Sequence, residues 1–334
     1  MAAQYSSEVM AELEARVRRD LSCWSLGPDA SIRLLNVSEN ATFRLTDQNG
    51  RDLVLRVYRL GYSSAAAIRS ELDWIDALRA AQVVETAAPI AGEDGERVQV
   101  LAPVDSGAPR FAVAFERLPG CEPDETNALR WFERLGELTA RMHRHARAWV
   151  RPAGFTRKRW DFAAMVGPEG LWGQWQAAQG LDASGRAVLE RVLELIARRL
   201  RRYGMGIEVF GLIHADLRLA NLLVSGERLA IIDFDDCGFG WFVYDFAAAV
   251  SFMEHRPVVP ELKEAWCSGY TRAAPLSVAT RAEMGTFVVL RRILLTAWLA
   301  SHAEVPLARE LGAGYTQGTV ALAEELLRGK FLPI

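Results

Sequence analysis

Between Leu118 and Thr126 the apolar residues of this chain change their period, and that change limits the fold more than any single residue does. Ahead of it, residues 31–37, 41–46 and 52–58 are short runs rich in Ile, Val, Leu and Phe, and Asp47-Gln48-Asn49-Gly50 joins the last two as a hairpin turn. Strand pattern returns at residues 97–104 and 111–115. One helix interrupts the strands: within residues 64–81, Ile68, Leu72, Ile75 and Leu78 follow one another at helical steps and form a single apolar stripe. Beyond Leu118-Pro119-Gly120 the spacing turns helical, with Leu129, Phe132, Leu135, Leu138 and Met142 on one face. An Arg- and Leu-rich helix covers residues 184–202, and residues 245–327 read as mostly helical. The pattern predicts an α+β protein with an antiparallel sheet plus helix first and a mostly helical lobe second. A helix carrying Val9, Leu13 and Val17, closed by Gly27-Pro28, precedes both. The expected division is an N-terminal helix over 1–27, a sheet lobe over 28–118 and a helical lobe over 119–334, with the linker at residues 116–121.

Composition removes several classes of function. The chain has 334 residues, of which 50% are hydrophobic and 24% charged, and 39 Lys+Arg against 42 Asp+Glu leave a net charge of −3. That is the balance of a globular protein, not of a disordered or collagen-like one. The greasiest stretches, residues 246–253 and 293–300, are short and flanked by charge, so no membrane span is expected. The first twenty residues carry Glu and Arg where a signal peptide needs an apolar run, and a cytoplasmic location is expected. Cys23, Cys121, Cys237 and Cys267 lie far apart without a C-x-x-C pair, which points to reduced thiols rather than a zinc site or a disulfide framework. Arg198, Arg199, Arg201 and Arg202 form a basic cluster, read as a solvated helix face, and no nucleic-acid partner is expected.

Chemistry concentrates in residues 211–245, GLIHADLRLANLLVSGERLAIIDFDDCGFGWFVYD. His214, Asp216 and Asn221 form H-x-D-x-x-x-x-N after an apolar run, and Asp233 follows the apolar Leu229–Ile232 segment, residues 229–232. A loop between a strand ending at Ile213 and another beginning at Leu222 would present Asp216 and Asn221 at one side of a sheet end, with Asp233 arriving beside them. An amide carbonyl and a carboxylate are hard oxygen ligands suited to Mg2+, which binds through one or two such groups plus substrate phosphates. Asp216 is then left to accept a proton.

These residues resemble the protein-kinase-like fold in its small-molecule branch, the aminoglycoside phosphotransferase and choline kinase superfamily. The catalytic-loop pattern followed by a metal-binding Asp before Phe is similar to the protein-kinase set, with HAD in place of HRD and DFD in place of DFG. IIDFDDCGFGWFVYDFA and LRRILLTAWLASHAEVPLARELG also look like this branch, and the resemblance covers nearly the whole chain. It implies a bilobal kinase that moves the γ-phosphate of ATP, with GTP not excluded, to a hydroxyl of a small molecule. Asp216 would be the base, Asn221 and Asp233 the Mg2+ ligands, and Arg56 the clamp on the α/β-phosphates, paired with Glu71 on the following helix. An Arg stands where a kinase places Lys, and a planar guanidinium can hold carboxylate and phosphate together. Ser38 and Asn40 lie in the segment that would cover the phosphates, although it lacks glycines, and Glu116 and Leu118 lie in the adenine-facing hinge. His214 and Asp245 would support the catalytic loop.

Other residues have two readings each. Asp235 is read as a residue that could reach metal or substrate; since adjacent residues at a strand end point opposite ways, the other reading is that one of Asp235 and Asp236 simply faces water. Trp172 and Trp175, in a Gly-bounded uncharged segment, are core residues or the wall of an acceptor pocket. His143 and His145 near a helix end read as caps or dipole partners, and His255 and His302 as surface or packing residues. The five aspartates Asp216, Asp233, Asp235, Asp236 and Asp245 would make the pocket acidic and suit an amine-bearing acceptor such as an aminoglycoside, homoserine or a choline-like compound. The rivals are a stress-response protein Ser/Thr kinase, disfavoured by the short interval from Asp233 to Asp245 with no A-P-E segment, and a nucleotide-binding pseudokinase, disfavoured by the intact Asp216, Asn221 and Asp233.

Overall fold

The structure is a computed structural model that describes Tyr5 and residues 7–104, 107–303 and 305–332. The chain groups into two compact units. One runs up to Gln82 and includes Thr86–Pro119 and Arg151–Thr156; the other contains Val83–Glu85, Gly120–Val150 and the chain from Arg157 on.

In the first unit α1 (Ser7–Arg19) precedes the strands β1 (Ser31–Val37), β2 (Ala41–Thr46) and β3 (Asp52–Val57), then α2 (Ala65–Ala80), β4 (Pro89–Ile90), β5 (Gln99–Leu101) and β6 (Arg110–Glu116). The sheet is antiparallel in the order β1-β2-β3-β6-β4, with β5 on β6. The β2–β3 turn forms because the Asp47 carboxylate accepts the N–H groups of Asn49 and Arg51, each at 2.9 Å, and Gly50 supplies the positive φ of 83°. Alternation then sorts the side chains. Phe43, Leu45, Leu55 and Val57 pack with Leu13 and Val17 of α1 and with Trp24 in one apolar core, so the N-terminal helix shares the sheet's core. Arg56, one residue out of phase with Leu55 and Val57, reaches α2 instead. Ser64 caps α2 by accepting the Ala67 N–H, and Ile68, Leu72, Ile75 and Leu78 are all buried. The strand read over residues 97–104 is reduced to Gln99–Leu101.

The second unit contains α3 (Ala128–Ala148), β7 (Lys158–Trp160), α4 (Phe162–Val166), α5 (Ala183–Tyr203), β8 (Phe210–Ile213), β9 (Leu222–Ser225), β10 (Arg228–Ile231), β11 (Gly238–Trp241), α6 (Tyr244–Ala249), α7 (Val259–Ala273), α8 (Val278–Ser301) and α9 (Pro306–Leu327). Asp182 and Ser277 cap α5 and α8. α3 buries Phe132, Leu135, Leu138 and Met142, whereas Leu129, counted with that face in the sequence, is 43% exposed in its first turn. α8 is long and apolar enough by length and composition to cross a membrane, but 83% of the apolar window is buried within the protein, which makes it a core helix. β7, β11 and β8 form a three-stranded sheet, while β9 and β10 form a separate hairpin. The loop from Ile213 to Leu222 therefore joins two sheets rather than lying at the end of one.

Candidate active site

The loop after β8 is held from inside by its own side chains. His214 accepts the Asp216 N–H at Nδ1 (3.2 Å), which leaves the proton on Nε2, and Nε2 donates to the Ile232 carbonyl at 3.1 Å. The imidazole thereby ties the Asp216 turn to the residue before Asp233. Asn221 directs Nδ2 at both the backbone carbonyl and Oδ2 of Asp216, at 2.8 and 2.7 Å. With both acceptors on Asp216, the amide nitrogen must face it, and the carbonyl Oδ1 of Asn221 points the other way. Asp216 is further paired at Oδ2 with Arg218 (3.2 Å) and at Oδ1 with Arg291 of α8 (2.6 Å).

Ala215 and Asp233 have positive φ values of 70° and 66°, unusual for residues with a Cβ and a sign of imposed conformation. Ala215 is held from both sides. Its N–H donates to Asp245 Oδ1 at 2.7 Å, and its carbonyl accepts from Arg291 at 3.0 Å. Asp245, fully buried in α6, also accepts the His214 N–H (3.3 Å) and Nε2 of His143 (2.9 Å), whose Nδ1 meets the Tyr270 hydroxyl at 3.0 Å. Burial pushes the His143 pKa down against the opposing pull of Asp245, so the ring is neutral, donating from Nε2 and accepting at Nδ1. His143 is thus a buried link in the support of the loop, not the helix cap expected.

The residues after Asp233 form a turn, not a strand end, and both Asp235 and Asp236 are buried. The expectation that one of them faces water is corrected by β7. Lys158 pairs with the Asp236 carboxylate at 2.6 Å, Trp160 donates to the Asp236 carbonyl at 2.7 Å, and Arg157 donates to the carbonyls of Asp235 and Cys237. Trp172 and Trp175 are each only 4% exposed. Trp172 packs edge-on against Trp160 and lies 4.9 Å beneath the Arg291 guanidinium, so it backs the site from the core; Trp175 packs beside α8. The acidic-pocket expectation also shifts, because Asp216, Asp236 and Asp245 have cationic or N–H partners within the protein. Among the described residues no cluster of three His, Cys, Asp or Glu side chains is placed to hold a metal alone. The oxygens of Asn221 and Asp233 suit instead a hard cation that takes its remaining ligands from phosphates.

In the first unit Arg56 is buried and donates from Nη1 to Glu71 Oε1 at 2.6 Å and to the Tyr58 hydroxyl at 3.1 Å; that hydroxyl donates to Glu71 Oε2 at 3.2 Å. The guanidinium also lies 5.0 Å from the Phe115 ring centre, so its plane is fixed by charge and by aromatic faces. Asn40 is turned inward, where Oδ1 accepts the Arg59 N–H at 3.1 Å, and the Ser38 N–H closes on the Asn40 carbonyl. Asn40 therefore shapes the β1–β2 turn. The Glu116 N–H is committed to Ala88 at 2.8 Å; Leu118 follows, half-buried, after the sheet ends.

Sequence and structure comparisons identify the family and the fold. The profile of the phosphotransferase enzyme family matches residues 31–276. The chain belongs to that family. This phosphotransferase is an enzyme, a small-molecule kinase with a hydroxyl group as phosphate acceptor. It is similar to the solved structure of a microcompartment-associated aminopropanol kinase, at 44% identity and a TM-score of 0.88 over 96% of this chain and 99% of that one. The amicoumacin kinase of Bacillus subtilis (strain 168) is 24% identical over 87% of this chain and 84% of its own. An amicoumacin kinase solved with AMP-PNP, Ca2+ and Ami has a TM-score of 0.77 at 23% identity, covering 97% of each chain. The bilobal α+β protein-kinase-like fold read from the sequence is the fold of these relatives.

Several residues of the phosphotransferase's site, Arg218, Lys158, Tyr58, Arg291 and His143 among them, are not marked as such by the sequence. Arg291 lies within LRRILLTAWLAS, where an Arg pair beside a long apolar run is the available signal. His143 carries none, since its partner Asp245 is 102 residues away.

Proposed function

We propose that this phosphotransferase transfers the γ-phosphate of ATP, with Mg2+, to the hydroxyl of a small amino alcohol of the aminopropanol type. The observation that carries the acceptor class is the 44% identity to the aminopropanol kinase over nearly the full length of both chains. The geometry supports the chemistry. Asp216, its carboxylate fixed by Arg291, Arg218 and Asn221, takes the proton of the attacking hydroxyl. The hydroxyl oxygen bonds to the γ-phosphorus as the bond to ADP breaks. Asn221 Oδ1 and the Asp233 carboxylate are the groups that would hold Mg2+, which when bound would supply neutralisation of phosphate charge. Arg56, fixed by Glu71 and Tyr58, clamps the α/β-phosphates. His214 and Asp245 act only on the loop. The turn after Asp233 runs straight into β11 and α6 and is clamped by β7, which favours a small acceptor over a protein one.

The test is ADP release from ATP and Mg2+ across amino alcohols, aminoglycosides, amicoumacin-like antibiotics, choline and sugars, with Asp216→Asn as the blank. Small amino alcohols are expected to stimulate release, and the variant to lower it roughly 10²–10⁴-fold while still binding ATP. Stimulation by another class alone would move the acceptor, and unchanged turnover in Asp216→Asn would remove Asp216 as the base.

A further inference from the structure

Arg291 sits in the middle of α8, where the neighbours Val288, Leu290, Ile293, Leu294 and Leu295 are buried and apolar. Its side chain is 1% exposed. An uncompensated guanidinium costs several kcal/mol at such a place, and an apolar residue of similar volume would fill it without that penalty. Packing alone therefore does not account for an arginine; its contacts do. Nη2 donates to Asp216 Oδ1 at 2.6 Å and Nη1 to the Ala215 carbonyl at 3.0 Å, so one planar fork grips two consecutive residues of the catalytic loop. From behind, the fork is fixed by the Tyr244 hydroxyl (3.0 Å), by Ser251 Oγ (3.2 Å) and by the face of Trp172. Among the described residues Asp216 is the only carboxylate with which Arg291 forms an ion pair. Burial opposes its charge, but Tyr244 and Asp216 outweigh that and hold it above the ordinary arginine value, so the cation is permanent.

We propose that Arg291 is a positioning residue for Asp216: by occupying Oδ1 from the core side, it assigns Oδ2 to the acceptor's hydroxyl. The inference rests on the phosphotransfer reading above and deepens it. Oδ2 carries two donors, Asn221 at 2.7 Å and Arg218 at 3.2 Å. Asn221 is buried within the loop, whereas the Arg218 side chain is 22% exposed and makes the longer bond, so Arg218 is the donor an arriving hydroxyl displaces. The hydroxyl proton then passes to Oδ2, the oxygen bonds to the γ-phosphorus, and ADP leaves with the electron pair of the broken P–O bond. Arg291 touches none of the reacting atoms. It holds Oδ1 still and, with Asp245 on the other side, keeps Ala215 at its left-handed φ.

The test compares Arg291→Lys, Arg291→Met and Tyr244→Phe with the wild type in kcat, in KM for ATP and for the acceptor, and in Tm. Misplacement of a catalytic group by about 1 Å costs on the order of 10²-fold in rate. Arg291→Met is therefore expected to lose about a hundredfold in kcat with both KM values within about threefold, and Arg291→Lys to recover at least about tenfold of that loss at a similar Tm. Tyr244→Phe, which loosens the fork without touching Asp216, is expected to lower kcat severalfold and leave KM unchanged. A kcat loss no larger than the loss of folded protein, a rise in KM at unchanged kcat, or no advantage of Lys over Met would overturn the assignment. If the wild type turns over no acceptor in the panel, the acceptor reading fails instead. The same three variants are then compared in ATP hydrolysis, where water gives its proton to Asp216, and the same ordering is required.

Discussion

His143 shows what a single buried residue contributes to this site. Its neutral ring bridges the Tyr270 hydroxyl and Asp245, and Asp245 in turn holds the N–H groups of His214 and Ala215. Because burial lowers its pKa from the ordinary 6.5, the unfolded chain takes up a proton that the folded protein refuses. The stability from this group is complete above about pH 6.5 and falls as pH drops below it, by at most about 1.4 kcal/mol per pH unit. Urea unfolding between pH 5 and 7.5 should show that slope, and His143→Gln should flatten it; an equal slope in the variant would place the titration elsewhere. His214, Asp216 and Asn221 stand out in the sequence because one short loop carries them, and Asp233 because it follows closely on the β9–β10 hairpin. Arg291 and His143 do not, because they reach Asp216 and Asp245 across 75 and 102 residues of chain.

At the scale of elements, α3 and α7 approach backbone to backbone. A Cβ on Gly269 would overlap the Glu133 carbonyl, and one on Gly136 would overlap the Trp266 carbonyl. The contact matters to the site because α3 carries His143 and α7 carries Tyr270. Gly269→Ala should cost at least about 2 kcal/mol and lower activity with it, since the helices must part. Gly314→Ala in α9, where nothing lies near the added methyl, should be neutral or slightly stabilising. Equal Tm values for the two variants would contradict the close approach. The hairpin of β2 and β3, α2 and the helical succession after Tyr244 were readable from period and turn residues. β7 and β11 were not. β7 has three residues, and Gly238 and Gly240 make β11 look like a turn, although a side chain there would strike Trp160, Lys158 or Ile213.

Over the whole molecule, α8 joins stability to chemistry, since a mostly apolar core helix delivers one guanidinium to the loop that carries Asp216. The adjacent Arg292 turns away to Glu254 and Thr319, so the two consecutive arginines serve different ends. Fold and reaction class could be read from sequence because spacing within a few segments specifies them. The acceptor could not, because no motif in the sequence specifies it, and even the expected acidity changes once Lys158, Arg218 and Arg291 are seen beside the carboxylates. The most direct measurement is a single-turnover transfer of labelled γ-phosphate from ATP to aminopropanol, with the product bond identified by phosphorus NMR. The account predicts an O-phosphate ester formed by the wild type and not by Asp216→Asn. A phosphoramidate, no labelled product, or an equal yield from the variant would contradict it.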